Sequence, residues 1–306
     1  MMNEQVVSDT LYAYILQQRF KTGENVFREL ARQNIPYAIH KGAILSKILY
    51  GNFTSRISGD IDLLFPRSYS PKIKAIFENA GFVQGRITDG IVVPYTRAEK
   101  IFQSSQSHQL APYVKTTNHR LCPYVEYDCN VDIFWGESGQ HTDMLDFLQH
   151  TQEYLVFNTV VRKLTPEAEF LALCMHHYKD LNSIFLLWIR GFDVDKLYEI
   201  ARYLEKVPLN IDYLISLCHR YGAGDYVCYC VHYANLIYPS DSLKTIEELL
   251  KSERSCVLFD CFGLCDEERK KWNVPFIDRT ENARGVLMKL LTEEDFKKIN
   301  HNIKMM

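Results

Sequence analysis

Two carboxylates, Asp60 and Asp62, stand inside an otherwise apolar stretch, Asp-Ile-Asp-Leu-Leu-Phe. In a strand, residues i and i+2 point to the same face. The two acids then project side by side, with Cα atoms about 7 Å apart at a rise of ~3.3 Å per residue. Like charges on a half-buried face repel each other unless a cation neutralises them, and oxygen-only ligands of this kind suit Mg²⁺ or Mn²⁺. Upstream, Lys41-Gly42-Ala43 precedes an apolar stretch expected to be a helix over 42–50. A small-residue turn at a helix N-terminus offers backbone N–H groups to phosphate oxygens, and Lys41 adds a point charge.

The chain of 306 residues is long enough for two domains or one large one. With 47% apolar and 24% charged residues and a net charge of −3, it carries no basic excess of the kind a nucleic-acid scaffold needs. The polar start, residues 1–9, lacks the apolar core of a secretory signal, and the apolar runs are too short to cross a bilayer. A cytoplasmic protein that engages neither membrane nor nucleic acid is the expectation. Nine scattered cysteines suit reduced thiols. Cys256, Cys261 and Cys265 cluster without a partner histidine or a CxxC pair, which argues against zinc.

The apolar spacing predicts helix through the first thirty-odd residues, with a break at Thr22-Gly23. A short strand over 37–40, the 42–50 helix, a carboxylate strand continuing over 61–65 and a helix over 72–79 follow. Strands over 82–86 and 91–95 join through a turn at Thr88, Asp89 and Gly90. Residues 103–122 read as a long polar loop, in which Lys115, His119 and Arg120 are candidates for gripping substrate. From Thr165 onward the period turns helical: 167–179, 183–189, 194–204, 211–221, 225–238 and 293–302. His176 and His177 fall in an apolar helix where packing is the plainer role, and a second acid pair, Asp193 and Asp195, reads as a helix start.

Between these halves, residues 125–135 alternate. Val125, Tyr127, Cys129, Val131, Ile133 and Trp135 lie on one face, and Glu126, Asp128, Asn130, Asp132 and Phe134 on the other. A third carboxylate on this strand would complete a metal site and could act as base toward an acceptor. Asp132 is the first choice and Asp128 the second.

The combination resembles the nucleotidyltransferase superfamily with the DNA polymerase β-like fold. It looks most like a bacterial family of uncharacterised nucleotidyltransferases. That family's motif of Lys-Gly, apolar helix, Tyr, Arg and Asp-Ile-Asp-Leu-Leu is met by Lys41, Gly42, Leu45, Tyr50, Arg56, Asp60, Ile61, Asp62, Leu63 and Leu64. Its later strand, apolar–acid–apolar–His–Trp, is matched by Val131, Asp132, Ile133 and Trp135, with Phe134 in place of the histidine. Its helical segment with a Pro-Glu start and a central His corresponds to Pro166, Glu167 and His176 or His177. Ala43 stands where the wider superfamily often has a serine, as is usual in this subfamily.

The resemblance implies an α+β fold: a mixed twisted sheet with flanking helices, followed by a helical domain. The expected divisions are an N-terminal helical segment over 1–35, a nucleotidyltransferase core over 36–163 and a helical domain over 164–306. The expected chemistry is Mg²⁺- or Mn²⁺-dependent transfer of a nucleoside monophosphate from an NTP to a hydroxyl-type acceptor, releasing pyrophosphate. Asp60, Asp62 and Asp132 are the implied metal ligands and catalytic acids, with Lys41, Gly42, Ala43 and Arg56 on the nucleotide, bound in the cleft between the halves. The acceptor, a small molecule or a peptide, is not legible. Two other readings use the same residues: group transfer from a nucleotide-sugar, and a non-catalytic module binding a nucleotide or peptide.

Overall fold

The computed structural model describes residues 4–106 and 108–305, so expectations on residues 1–3, 107 and 306 lie outside the described residues. The chain divides into two units, one running to Gly136 and including His141–Glu169, the other comprising Glu137–Gln140 and the chain from Phe170.

In the first unit the elements run α1 (Glu4–Arg32), β1 (Ala38–His40), α2 (Gly42–Tyr50), β2 (Ile61–Leu64), α3 (Ser70–Asn79), β3 (Val83–Thr88), β4 (Ile91–Pro94), α4 (Arg97–Gln106), β5 (Gln109–His119), β6 (Cys122–Asn130), α5 (Met144–Phe147), β7 (Thr151–Val156) and β8 (Thr159–Leu164). The eight strands form one mixed sheet in the order β4-β3-β5-β6-β2-β1-β8-β7. Its centre pairs β2 with β6 in parallel and with β1 antiparallel, while β1 also runs parallel to β8. One face, carrying Ile39, Ile61, Leu63, Tyr127 and Cys129, is buried with Leu16, Phe20, Phe27 and Leu30 of α1 and Ile73 and Phe77 of α3. Alternation then forces His40, Asp62, Asp128 and Asn130 onto the opposite face.

Three expectations change. Helix α1 runs unbroken through Thr22 and Gly23. A Cβ on Gly23 would fall 1.7 Å from the Tyr127 hydroxyl oxygen, so this glycine marks a close approach of helix to sheet. Residues 109–119, expected in a loop, form β5, which pairs with both β3 and β6. Its ladder shifts register between Leu110 and Tyr113, where Pro112 has no N–H to give. The alternating strand expected over 125–135 ends at Asn130. The β7–β8 hairpin was not expected, although Val160 and Leu155 pair in it across a turn at Phe157 and Asn158. A buried ion pair, Lys163 Nζ to Glu169 Oε2 at 2.9 Å, ties β8 to the start of the next helix.

That helix, α6 (Pro166–Asn182), carries the chain from the first unit into the second, where α7 (Ile184–Arg190), α8 (Asp195–Lys206), α9 (Ile211–Arg220), α10 (Gly224–Ile237), α11 (Asp241–Leu250) and α12 (Glu253–Phe259) follow. A two-stranded ribbon of β9 (Cys261–Phe262) and β10 (Lys270–Lys271), then α13 (Phe276–Leu290) and α14 (Glu293–Met305), complete it. Helix α10 is buried almost throughout from Tyr226 to Ala234, the signature of a central helix. Helices α11 and α12, absent from the expectation, start at serine caps: Ser240 accepts from Leu243 N–H and Ser252 from Ser255 N–H. Arg279 of α13 sits buried on the Tyr233 hydroxyl and the Phe259 carbonyl.

His177 of α6 is fully buried with Nε2 2.9 Å from Glu199 Oε2 on α8. Burial holds its imidazole below the ordinary range despite that carboxylate.

Two predictions follow from packing and burial. Gly23→Ala destabilises the protein by about 1–3 kcal/mol through overpacking, whereas Tyr127→Phe, which removes a buried hydroxyl with no hydrogen-bond partner among the described residues, leaves stability equal or higher. Urea melts of the two variants and the wild type distinguish these signs. Because His177 has a lower pKa folded than unfolded, the unfolded chain takes up a proton that the native state refuses. Stability therefore falls as pH drops below about 6.5, by at most about 1.4 kcal/mol per pH unit, and His177→Gln removes that part of the slope.

Candidate active site

The carboxylate face is built at the centre of the sheet. β2 and β6 run parallel in a register that sets Asp62 directly beside Asp128, and His40 of β1 lies directly across from Asp62 on the other side. Asp60 immediately precedes β2 and shares the parity of Asp62. Neighbouring strands lie about 4.8 Å apart, and like charges directly opposite one another are destabilising. The consequence is visible at Asp128. Burial first, then the charges of Asp60, Asp62 and Glu126, push its carboxyl up to about 7, while Lys41 opposes them. Glu126 is likewise raised by burial and by Asp60, with Arg19 opposing.

One buried cation answers this charge. Lys41 Nζ lies 2.7 Å from Asp62 Oδ1, with the two side chains only 10% and 9% exposed. To reach it, Lys41 adopts φ 59° and ψ −149°, a region that side-chain-bearing residues rarely occupy and that costs about 1–3 kcal/mol. Gly42 follows with φ 50°. Helix α2 therefore starts from a sharp turn, and its N-cap residue, Lys41, makes no side-chain bond to its first N–H groups. These are the groups that an anion at a helix N-terminus would use. Asp62 is also reached from the far side: Asn130 Nδ2 donates to its Oδ1 at 3.4 Å, and Gln109 Nε2 donates to Asn130 Oδ1 at 3.0 Å.

Asp60 is held differently. Ser58 Oγ donates to Asp60 Oδ1 at 2.9 Å, and Ser58 is fixed in turn by Tyr12 and Arg19 of α1. Arg56 lies in the same connection, its backbone N–H donating to Ser46 Oγ at 3.0 Å.

The structure thus brings Lys41, Gly42, Asp60, Asp62 and Asp128 together, with Ala43 next in the α2 turn. Asp132 is engaged in a turn of its own. Asp132 lies past the end of β6 and both its oxygens serve a turn: Oδ1 accepts from Phe134 N–H at 3.0 Å, Oδ2 lies 3.3 Å from His141 Nδ1, and both accept from Thr142 N–H. Lys115, expected as a gripping residue, donates to the Ala80 carbonyl at the end of α3, and His119 contacts the Tyr14 hydroxyl. His176 faces Asp180, a buried carboxylate also met by Lys196 at 2.9 Å. Cys256, Cys261 and Cys265 are free thiols.

Sequence reasoning passed over Ser58, Tyr12 and Arg19. Tyr12 and Arg19 stand 46 and 39 residues from the carbonyl they hold, and no local pattern reports such a bond. Asp128 was visible on the polar face of its strand.

Among the described residues, no three His, Cys, Asp or Glu side chains converge in ligand geometry. The donor set nonetheless fits a hard divalent cation. It is all oxygen, it lies on adjacent strands, and Asp128 is crowded by negative charge that one lysine leaves uncompensated.

No curated protein matches the chain. Several solved structures resemble it distantly, three of which are the following. The crystal structure of ANT(2″)-Ia in complex with adenylyl-2″-tobramycin is 14% identical, covers 76% of this chain and 97% of its own, and has a TM-score of 0.33. The solution structure of the antibiotic-resistance factor ANT(2″)-Ia is 15% identical, with coverages of 68% and 95% and a TM-score of 0.36. An antigenic nucleotidyltransferase-like protein from Paracoccidioides brasiliensis is 15% identical, with coverages of 76% and 93% and a TM-score of 0.42. None of the three superimposes closely enough to assign a substrate, a metal or a residue's role. Residues 16–239 match the family described as uncharacterised nucleotidyltransferases, and the chain belongs to that family.

Proposed function

We propose that the chain transfers a nucleoside monophosphate from an NTP to a hydroxyl-type acceptor in a reaction that needs Mg²⁺ or Mn²⁺. The observation that carries this reading is the register of β2 on β6, which seats Asp62 beside Asp128 with Asp60 on the same face and Lys41 buried against them. Asp60, Asp62 and Asp128 would hold the cation, Asp128 standing in the place expected of Asp132. When bound, such an ion neutralises phosphate charge and polarises the phosphorus under attack.

The chain's own groups do the rest. The N–H groups opening α2 and the Lys41 ammonium receive phosphate oxygens. An acceptor hydroxyl forms a bond to the α-phosphorus as the bond from that phosphorus to the β-bridging oxygen breaks. Pyrophosphate leaves, and the hydroxyl proton passes to a carboxylate, for which Asp128 is the choice. Positioning and electrostatics carry most of such a reaction, since little covalent chemistry falls to the protein. Among the described residues no helix is long and apolar enough to cross a membrane.

Incubating the chain with each NTP, Mg²⁺ and a panel of hydroxyl acceptors is expected to release pyrophosphate. Asp60→Asn, Asp62→Asn and Asp128→Asn each lower turnover by at least about 100-fold, about 2.7 kcal/mol of barrier. Asp132→Asn leaves turnover near the wild-type level and loosens its turn instead. Asp128→Asn also raises the melting temperature of the metal-free protein, because it removes a crowded like charge. Full turnover in the Asp60 and Asp62 variants would sink the mechanism. Loss in Asp132→Asn without loss in Asp128→Asn would reassign the third carboxylate.

A further inference from the structure

We propose that Tyr12 is a positioning residue for this site, setting the carboxylate of Asp60 through Ser58. The inference rests on the reading that Asp60 helps hold a divalent cation. It goes beyond that reading by assigning a role to a side chain that precedes the span matched by the family, residues 16–239.

Asp60 enters β2 from residues 51–60, a connection with no regular structure. The residue before it is Gly59, which has no side chain to anchor and open space where one would stand. The Asp60 side chain is met by Ser58, whose hydroxyl proton is shared between Asp60 Oδ1 at 2.9 Å and the Asp60 carbonyl at 3.1 Å. Ser58 would itself be free to swing, since its peptide groups lie outside any ladder. Tyr12 prevents this with one hydroxyl, which accepts from Ser58 N–H at 2.6 Å and donates to Ser58 C=O at 3.0 Å. Arg19 Nη1, two turns further along α1, donates to the same carbonyl at 2.6 Å.

The ring of Tyr12 packs against the sheet core, so its hydroxyl is aimed by a rigid body. A helix that would otherwise only cover the sheet thus fixes both backbone groups of the residue that orients a ligand. Ser58 also lies over the phosphate turn, its Oγ 3.5 Å from where a Cβ of Gly42 would stand. A shift of Ser58 would move the wall of that turn as well as Asp60. Partners that orient a metal ligand in this way are worth about 10–100-fold in metal affinity or activity.

The test uses the full chain as wild type, Tyr12→Phe, Ser58→Ala, Ser58→Thr and the double variant Tyr12→Phe/Ser58→Ala. Three quantities are measured: amide hydrogen exchange over residues 57–61 without metal, Mn²⁺ affinity by electron paramagnetic resonance titration, and melting temperature. Tyr12→Phe is expected to speed exchange in that segment and weaken Mn²⁺ binding about tenfold with little change in melting temperature. Ser58→Thr keeps the hydroxyl and binds as wild type. The double variant binds no more weakly than Ser58→Ala alone, because both changes act along one path. Wild-type Mn²⁺ affinity in Tyr12→Phe, or losses that multiply in the double variant, would overturn the inference and leave the proposed function standing. A wild-type chain that binds no Mn²⁺ would overturn both.

Discussion

Several carboxylates brought onto one face of adjacent central strands, with the buried Lys41 ammonium among them, set the terms for the rest of the first unit. Charges crowded there are only partly screened by solvent and are met by opposite charge or by hydrogen bonds. Lys41 meets Asp62, Asn130 and Gln109 support it from the next strands, and Ser58 meets Asp60. Asp128 is left against its neighbours and is pushed up to about 7, chiefly by burial. Replacing buried charges of this kind by well-packed apolar groups is often neutral or stabilising. Under the proposed function, a further cation and a phosphate chain complete the charge balance.

The opposite face explains how the site keeps its shape. Gly23 lets α1 settle onto Tyr127 of β6, and Phe77 stacks on Tyr113 at 4.4 Å and meets Tyr127 edge-on at 5.1 Å. With α1 seated in this way, Tyr12 and Arg19 reach the Ser58 backbone. The strained Lys41 backbone is held by its buried ion pair at one end and by the packed α2 at the other. Packing on one side of the sheet therefore fixes polar geometry on the other.

How much of this was legible in the sequence depended on whether the signal was local. The 42–50 helix was readable from apolar spacing and a Gly-opened start, and the Asp89-Gly90 turn from residues that accept positive φ. Strand β5 was not, because Pro112 and a run of polar residues conceal a strand whose pairing with β3 and β6 is decided by tertiary contacts. Alternation carried the neighbouring strand too far: the pattern continues to Trp135, but the ladder stops at Asn130. Asp132, expected on that strand, lies past its end and has its oxygens engaged in a turn. Asp60 and Asp62 could be found as a pair because apolar residues flank them. The bonds from α1 that orient Asp60 span dozens of residues and leave no trace in any window.

The most direct test of a cation site between β2 and β6 is anomalous diffraction from crystals of the chain grown with Mn²⁺ and an NTP. The expected result is a Mn²⁺ peak bounded by the carboxylates of Asp60, Asp62 and Asp128, with phosphate oxygens against Lys41 and the start of α2. A peak at Asp132 and His141 instead, or an NTP bound with no Mn²⁺ at the strand face, would contradict it.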